Sequence, residues 1–150
     1  MQITRTGDLA RGMRCVNPAR WKSYLLKHLK TETKNAATRL RDQIKEDITS
    51  GLVRPENRQA TKDKKGHGIV MKESGTLVDD ITIKMIPGGE GYFAGLPSSS
   101  AHFEIGVYHE IRAKVLPIRK FIEPAALKIQ PELTDEFESA FERVFTEVTA

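Results

Sequence analysis

The sequence predicts an α+β fold in which a long N-terminal helix and a C-terminal helix pack on a small antiparallel β-sheet with a central hairpin. Apolar residues recur at steps of three or four over residues 17–50 and again over 121–148, which is the spacing of one helix face. Between these stretches, residues 81–85 alternate apolar and polar side chains, and a glycine-rich turn follows. Helices before and after a hairpin are typical of helices packed on one antiparallel sheet.

The first predicted helix begins at Asn17 and Pro18 and ends near Gly51. Asparagine is a favoured N-cap, and proline fits the first helical position because its missing N–H is not needed there. Glycine commonly follows a helix end. One apolar stripe runs along the helix: Trp21, Leu25, Leu29, Thr33, Ala37, Leu40, Ile44 and Ile48. Such a helix is about 50 Å long, so we expect part of it to project beyond the core or to lie against a neighbouring subunit.

A mobile basic loop is predicted at about residues 53–68, because this stretch has neither helical nor strand periodicity. Its basic residues are Arg54, Arg58, Lys62, Lys64 and Lys65. A structureless loop of this length in a compact domain usually has a function or is disordered. It can order against a partner or DNA, or serve no role.

We expect a single domain over residues 17–150, with residues 1–16 as an N-terminal arm that is either disordered or in contact with a neighbour.

The central hairpin is predicted within residues 77–96. Residues 77–86 end in an alternation that puts Ile81, Ile83 and Met85 on one face of a half-buried strand. Residues 87–91 turn the chain, and residues 92–96 return as the second strand. The glycines therefore belong to a hairpin turn and not to a phosphate-binding loop, which would open a helix. Residues 69–71 are a candidate for a shorter preceding strand.

The remaining elements follow the hairpin. A serine among residues 98–100 can cap a short helix through about Val107, and residues 109–115 are a candidate for a further strand. A second long helix is predicted over residues 121–148, where we expect Pro131 to break or restart it. Its outer face is acidic, with Glu132, Asp135, Glu136, Glu138, Glu142 and Glu147.

The charges are distributed unevenly along the chain. The 150 residues are 39% hydrophobic and 29% charged, with a net charge of +4, which is typical of a soluble globular domain. Residues 1–72 hold 17 Lys and Arg against 7 Asp and Glu, a balance of +10, and residues 73–150 hold 7 against 13, a balance of −6. Such halves can bind different partners, attract the opposite half of an identical neighbour in a ring, or form only a solvated surface.

The sequence predicts no membrane partner and no disulfide. No apolar run approaches the roughly 20 residues of a membrane span, and the N-terminus lacks the apolar stretch of a secretion signal. We therefore expect a cytoplasmic protein. The single cysteine, Cys15, cannot form an internal disulfide.

One cluster offers residue types suited to metal or acid–base chemistry: His102, Glu104, His109 and Glu110. Imidazole and carboxylate groups can coordinate zinc or share a proton. However, no third strong ligand lies at a characteristic spacing. We therefore predict no catalytic residue, no metal site and no cofactor, and expect that the protein is not an enzyme. A metal-dependent enzyme is kept as a minor alternative.

Three short segments resemble sequences of one protein family. Residues 72–81 (KESGTLVDDI) resemble its S/T-G-x-L-x-x-S-I segment, residues 101–106 (AHFEIG) its A-x-x-h-E-x-G segment, and residues 117–125 (PIRKFIEPA) its P-x-R-P-F-L-x-P-A segment. In this order, they resemble the head-to-tail joining, or tail-completion, neck proteins of long-tailed bacteriophages, over about residues 20–130. Lys120 stands where the family usually has proline.

The resemblance implies a non-enzymatic structural subunit that forms a ring with copies of itself, commonly six-fold. The ring would lie between the connector or head-closure protein and the tail terminator or tail tube protein. The subunit would act in the host cytoplasm during assembly and then in the virion neck. DNA passing through the lumen would bind weakly and without sequence specificity, if it binds at all.

The candidate interface residues are Arg119, Phe121 and Glu104, together with the loop residues Arg58, Lys62, Lys64 and Lys65. Arg119 can pair with a carboxylate of its own or of a neighbouring subunit, and Glu104 is a candidate partner. Phe121 helps fix the start of the last helix, and a role in the monomer's own core is the alternative.

A second function remains open from sequence alone. The +10 balance of residues 1–72 also suits a small basic nucleic-acid-binding protein. In a ring, the same basic residues can face the acidic last helix of a neighbour or line the lumen.

Overall fold

The computed structural model describes residues 18–55, 63–64, 66, 76–89, 91–111 and 118–149. Within these residues the elements, in order, are α1 (Pro18–Thr49), α2 (Thr76–Asp80), β1 (Thr82–Met85), β2 (Tyr92–Gly95), α3 (Phe103–Glu110) and α4 (Ile122–Thr149). The two strands pair antiparallel, with Thr82 opposite Gly95 and Met85 opposite Tyr92. The predicted α+β architecture is confirmed. The predicted arm, the candidate strand at 69–71 and most of the basic loop lie outside the described residues.

Helix α1 has nearly the predicted bounds. Gly51 follows it with φ of +73°, a conformation that glycine adopts easily because it has no Cβ. The N–H groups of Gly51 and Leu52 donate to the carbonyls of Ile48 (3.2 Å) and Asp47 (2.9 Å), which satisfies carbonyl groups at the helix end. The helix therefore ends where the glycine predicts.

Burial along the apolar stripe of α1 increases toward its C-terminus. Leu29 is 39% exposed, whereas Ala37 is 6% exposed and Ile44 and Ile48 are fully buried. The first half of the helix thus extends beyond the main core. There Trp21 packs edge-on against Phe141 and Phe145 of α4, with ring centroids 5.9 and 6.3 Å apart.

Helices α1 and α4 form an antiparallel pair joined by ion pairs. The ion pairs are Glu32–Arg143 (3.1 Å), Arg39–Glu136 (2.7 Å) and Asp47–Lys128 (2.6 Å), and a hydrogen bond joins His28 Nε2 to Glu147 (3.2 Å). Steps of four, seven and eight residues along α1 are matched by equal steps in the opposite direction along α4. The positive and negative halves of the sequence therefore meet, in part, within one chain.

Pro131 does not break α4, contrary to the prediction. Proline lacks the N–H that would bond the carbonyl of Leu127. Both Pro131 and Leu127 are exposed, so water can bond this carbonyl. Ile129 and Ala140, on either side of the proline, are buried. Packing of both halves therefore outweighs the loss of one hydrogen bond.

The main core lies where the second half of α1, α2, the hairpin and the start of α4 meet. Its buried members are Ile44, Ile48, Val53, Leu77, Val78, Ile81, Phe121 and Ala125. The predicted strand over 77–86 is wrong at its start, because Leu77–Asp80 is helical. Consecutive residues of a strand point to opposite faces, whereas Leu77 and Val78 are both buried, and one helical turn from Leu77 leads to the buried Ile81.

Helix α3 begins at Phe103, later than predicted, and continues to Glu110. The predicted strand is therefore wrong at His109 and Glu110, and residues 112–115 lie outside the described residues. Gly106 and His109, three residues apart, are both buried, which is the periodicity of a helix face.

No helix in the described part of the chain is long and apolar enough to cross a membrane.

Candidate subunit interface

The end of α3 caps the start of α4. One carboxylate oxygen of Glu110 accepts the N–H groups of Phe121 (2.9 Å) and Ile122 (3.3 Å), and the other accepts the N–H of Glu123 (3.1 Å). The first N–H groups of a helix have no partner within the helix, and a negative charge is favourable there. The spacing of His and Glu residues placed Glu110 in a possible metal cluster and did not predict this role.

Arg119 lies between the two helices with its side chain 9% exposed. Its Nε donates to the carbonyl of Pro55 (2.9 Å), and its backbone N–H donates to the carbonyl of His109 (2.8 Å). Burial lowers the pKa of the Arg119 guanidinium. Arg119 therefore holds the end of the 50–55 segment and the end of α3 beside α4.

Glu104, the candidate partner of Arg119, does not bind it. Glu104 is exposed on α3, and no ion pair joins it to Arg119 among the residues that the structure describes. The neighbouring Lys120 instead pairs with Glu123, whose hydrogen bond raises the pKa of Lys120. Within the described residues of one chain, Glu104 is therefore not the partner of Arg119; a pairing between subunits stays a prediction.

Phe121 belongs to the core and not to the surface. Its side chain is 1% exposed. Gly106 lies against it: a Cβ at this glycine would be 3.7 Å from Phe121 Cζ and would collide with Cδ1 of Leu96. Of the two readings of Phe121, the structure favours the core of its own chain.

One face of α3 is apolar and exposed. Ile105, Tyr108 and Ile111 follow one another at steps of three residues, and they are 47%, 50% and 70% exposed; Ile118, beside Arg119, is 45% exposed. The opposite face carries the buried Gly106 and His109. Contiguous exposed apolar side chains are typical of a contact surface.

The members of the predicted His and Glu cluster have separate surroundings. His102 Nδ1 lies 2.8 Å from Asp80 Oδ2, which also accepts the hydroxyl of Ser100 at 2.5 Å. These hydrogen bonds, from His102 and then Ser100, lower the pKa of Asp80. No group of three metal-ligating side chains occurs within the described residues. The polar trio joins α2 to the start of α3.

Of the four basic candidate residues, the structure describes only Lys64. Arg58, Lys62 and Lys65 lie outside the described residues, and Lys64 is exposed. Lysines of α1 are also exposed: Lys22, Lys27, Lys30 and Lys34. On α4, Glu138 and Glu142 are exposed and have no ion pair with any residue that the structure describes.

An apolar groove of about 640 Å³ lies between α1, β2 and α4. Leu40, Tyr92, Ile129, Leu133 and Phe137 are among its lining residues. The groove continues the core toward the surface where the two-stranded sheet ends.

Comparisons with protein-family models, with curated proteins and with solved structures find no match to this chain.

Proposed function

We propose that this protein is a structural subunit of the neck of a tailed bacteriophage, where it forms a ring that joins the DNA-filled head to the tail. The observation that carries the proposal is the meeting of the three family-like segments in one place. Leu77, Val78 and Ile81 come from the first segment, Gly106 from the second, and Phe121 and Ala125 from the third. All of them lie in or against one core.

This meeting supports the resemblance because the segments are distant in sequence. Because a small domain usually has one contiguous core, the informative part of this meeting is the position of the small residues. Gly106 has a packing role beside Phe121 and Leu96, and Ala125 is fully buried, so a larger side chain at either position would have to displace its neighbours.

The surface also suits a subunit of an assembly. Several large apolar side chains are about half exposed, among them Tyr108, Ile105 and Leu127. Ile105 and Tyr108, three residues apart on α3, form an exposed apolar surface of the kind that a ring subunit can bury against its neighbours. In the proposed ring, the copies contact the connector or head-closure protein on one side and the tail terminator or tail tube protein on the other.

The test is a stop codon early in the gene of the virus that carries it, followed by electron microscopy of the infected-cell lysate. We expect DNA-filled heads beside unattached tails, and normal virions when the intact gene is supplied from a plasmid. Normal infectious particles without the plasmid would reject the neck role.

Nucleic-acid binding is the second candidate, favoured by the exposed lysines of α1. Gel retardation of duplex DNA at 0.05 and 0.2 M salt distinguishes the two. A neck subunit should bind weakly and lose binding at the higher salt, since counterion release drives such binding. Binding that stays tight at 0.2 M salt would favour the nucleic-acid-binding protein.

A further inference from the structure

We propose that Arg119 and the exposed face of α3 form the surface through which one copy of this chain contacts the next. We further propose that the matching surface on the second copy is the outer face of α4 around Glu138, Phe141 and Glu142. The inference rests on the proposed function only in requiring that the chain assembles with copies of itself.

The first observation is that Arg119, a largely buried residue, has no carboxylate partner among the described residues. Arg119 is 9% exposed, and among the described residues its side chain donates one hydrogen bond, from Nε to the carbonyl of Pro55. Within the described residues it has no ion pair. Taking a charged guanidinium out of water is costly unless an opposite charge compensates it. A carboxylate from outside the chain would supply that compensation.

The second observation is the apolar surface beside this arginine. The hydrogen bond from the Arg119 N–H to the carbonyl of His109 brings Ile118 and Arg119 next to the last turn of α3. Tyr108 and Ile111, from the same part of α3, are 50% and 70% exposed. A tyrosine and isoleucines beside a largely desolvated arginine are the composition of a protein–protein hot spot.

The outer face of α4 has the complementary chemistry. Glu138, Phe141 and Glu142 share one helix face, since three and four residues separate them. Phe141 is 41% exposed, and the two carboxylates have no ion pair with any described residue. Other acidic residues of α4, Glu136 and Glu147, are already paired with α1. This face therefore offers the exposed part of the Phe141 ring, which also packs against Trp21, and two carboxylates that pair with no described residue.

The two surfaces differ, and this determines the symmetry of the contact. A contact between different surfaces of identical chains is heterologous, and it repeats around a closed ring or along a filament. Pairing the α3 face with the α4 face thus favours a cyclic assembly over a two-fold dimer.

The test uses p-benzoylphenylalanine, a photoreactive amino acid, in place of Tyr108 in the full-length chain. Isotopically light and heavy copies are purified separately, mixed, allowed to associate and irradiated. We expect cross-links between light and heavy copies that end in residues 135–146. When p-benzoylphenylalanine instead replaces Leu26, which is 49% exposed on α1, we expect no cross-link to residues 135–146 of another copy.

Substitutions give a second measurement. Ile111→Asp places a charge on an exposed position and should weaken self-association at least tenfold by mass photometry, whereas Leu26→Asp should leave it unchanged. Equal association of both variants, or cross-links from position 108 that avoid α4 of another copy, would overturn the inference.

If plasmid complementation still restores virions in that case, the neck role stands. If copies cross-link as expected but the stop codon has no effect, the contact surface stands and the neck role fails.

Discussion

The carboxylate of Glu110 accepts the backbone N–H of Phe121 over 2.9 Å, while the ring of Phe121 is buried in the main core. One residue of α3 therefore holds the position from which α4 departs. The backbone N–H of Arg119, two residues before Phe121, donates to the carbonyl of His109. The end of α3 and the start of α4 are therefore fixed to each other at two points. The proposed contact surface lies on this junction, so its geometry depends on these bonds.

Glu110→Gln should lower the free energy of unfolding by about 1–2 kcal/mol at neutral pH, since a neutral amide replaces a charged cap at a helix N-terminus. Urea denaturation measures the change. Glu104→Gln, on the same helix but exposed, is the control and should leave the midpoint unchanged. Equal midpoints for the two variants would show that the cap contributes nothing.

Phe121→Ala should destabilise the fold by about 3–5 kcal/mol, because it removes a large, fully buried side chain and leaves a cavity beside Gly106 and Leu96. Thermal unfolding followed by circular dichroism measures this as a lower Tm. Phe141→Ala removes the same ring from a position that is 41% exposed and should cost clearly less. A Tm equal to that of the original chain would contradict the burial of Phe121.

Asp80 makes stability depend on acid pH. Its pKa in the folded chain is lowered by the hydrogen bonds from His102 and Ser100. The stabilisation is therefore complete above the unfolded-chain pKa of about 3.9, and it is lost as the pH falls through the lower pKa of the folded state.

Asp80→Asn should accordingly be less stable than the original chain at pH 7, and the difference should shrink as the pH falls below about 4. Urea midpoints of both chains between pH 3 and 7 test this. Asp79→Asn, at the exposed neighbouring position, is the control. A difference that stays constant over this range would contradict the hydrogen-bonded carboxylate.

Lys128→Met should cost about 2 kcal/mol of stability. Its Nζ binds Asp47, whose side chain is only 5% exposed and lies in the last turn of α1, where the helix dipole disfavours a negative charge. Arg39→Met should cost under about 1 kcal/mol, although Arg39 pairs with both Glu132 and Glu136, since exposed ion pairs contribute little. Chemical denaturation of the two variants, side by side, tests the order, and the reverse order would contradict it.

The long elements could be predicted from sequence because their signals are local. Pro18 and Gly51 mark the ends of α1, and the periodic apolar side chains of both long helices select the faces that pack. Alternation around Ile83 and the glycines of the turn predict the hairpin. In each case the residues that determine the structure lie within a few positions of one another.

The errors have a different cause. The helical turn at Leu77, the continuity of α4 through Pro131 and the cap by Glu110 all depend on residues far away in the sequence. A short local pattern cannot show that Val78 also faces the core. Nor can it show that the carboxylate of Glu110, eleven residues before Phe121, accepts the backbone N–H of Phe121. The hydrogen bond from Arg119 to the carbonyl of Pro55 was not predicted for the same reason, since 64 positions separate the two residues.

The ladder of ion pairs between α1 and α4 gives the two ends of the helical pair different sensitivity to ionic strength. The outer ion pair, Glu32–Arg143, includes an arginine side chain that is 58% exposed to water, so salt screens it. The inner pair involves the buried Asp47 and adjoins the core, where salt has little effect. Raising the ionic strength should therefore fray the outer end, leaving Trp21 and its aromatic neighbours to hold it, while the inner end stays closed.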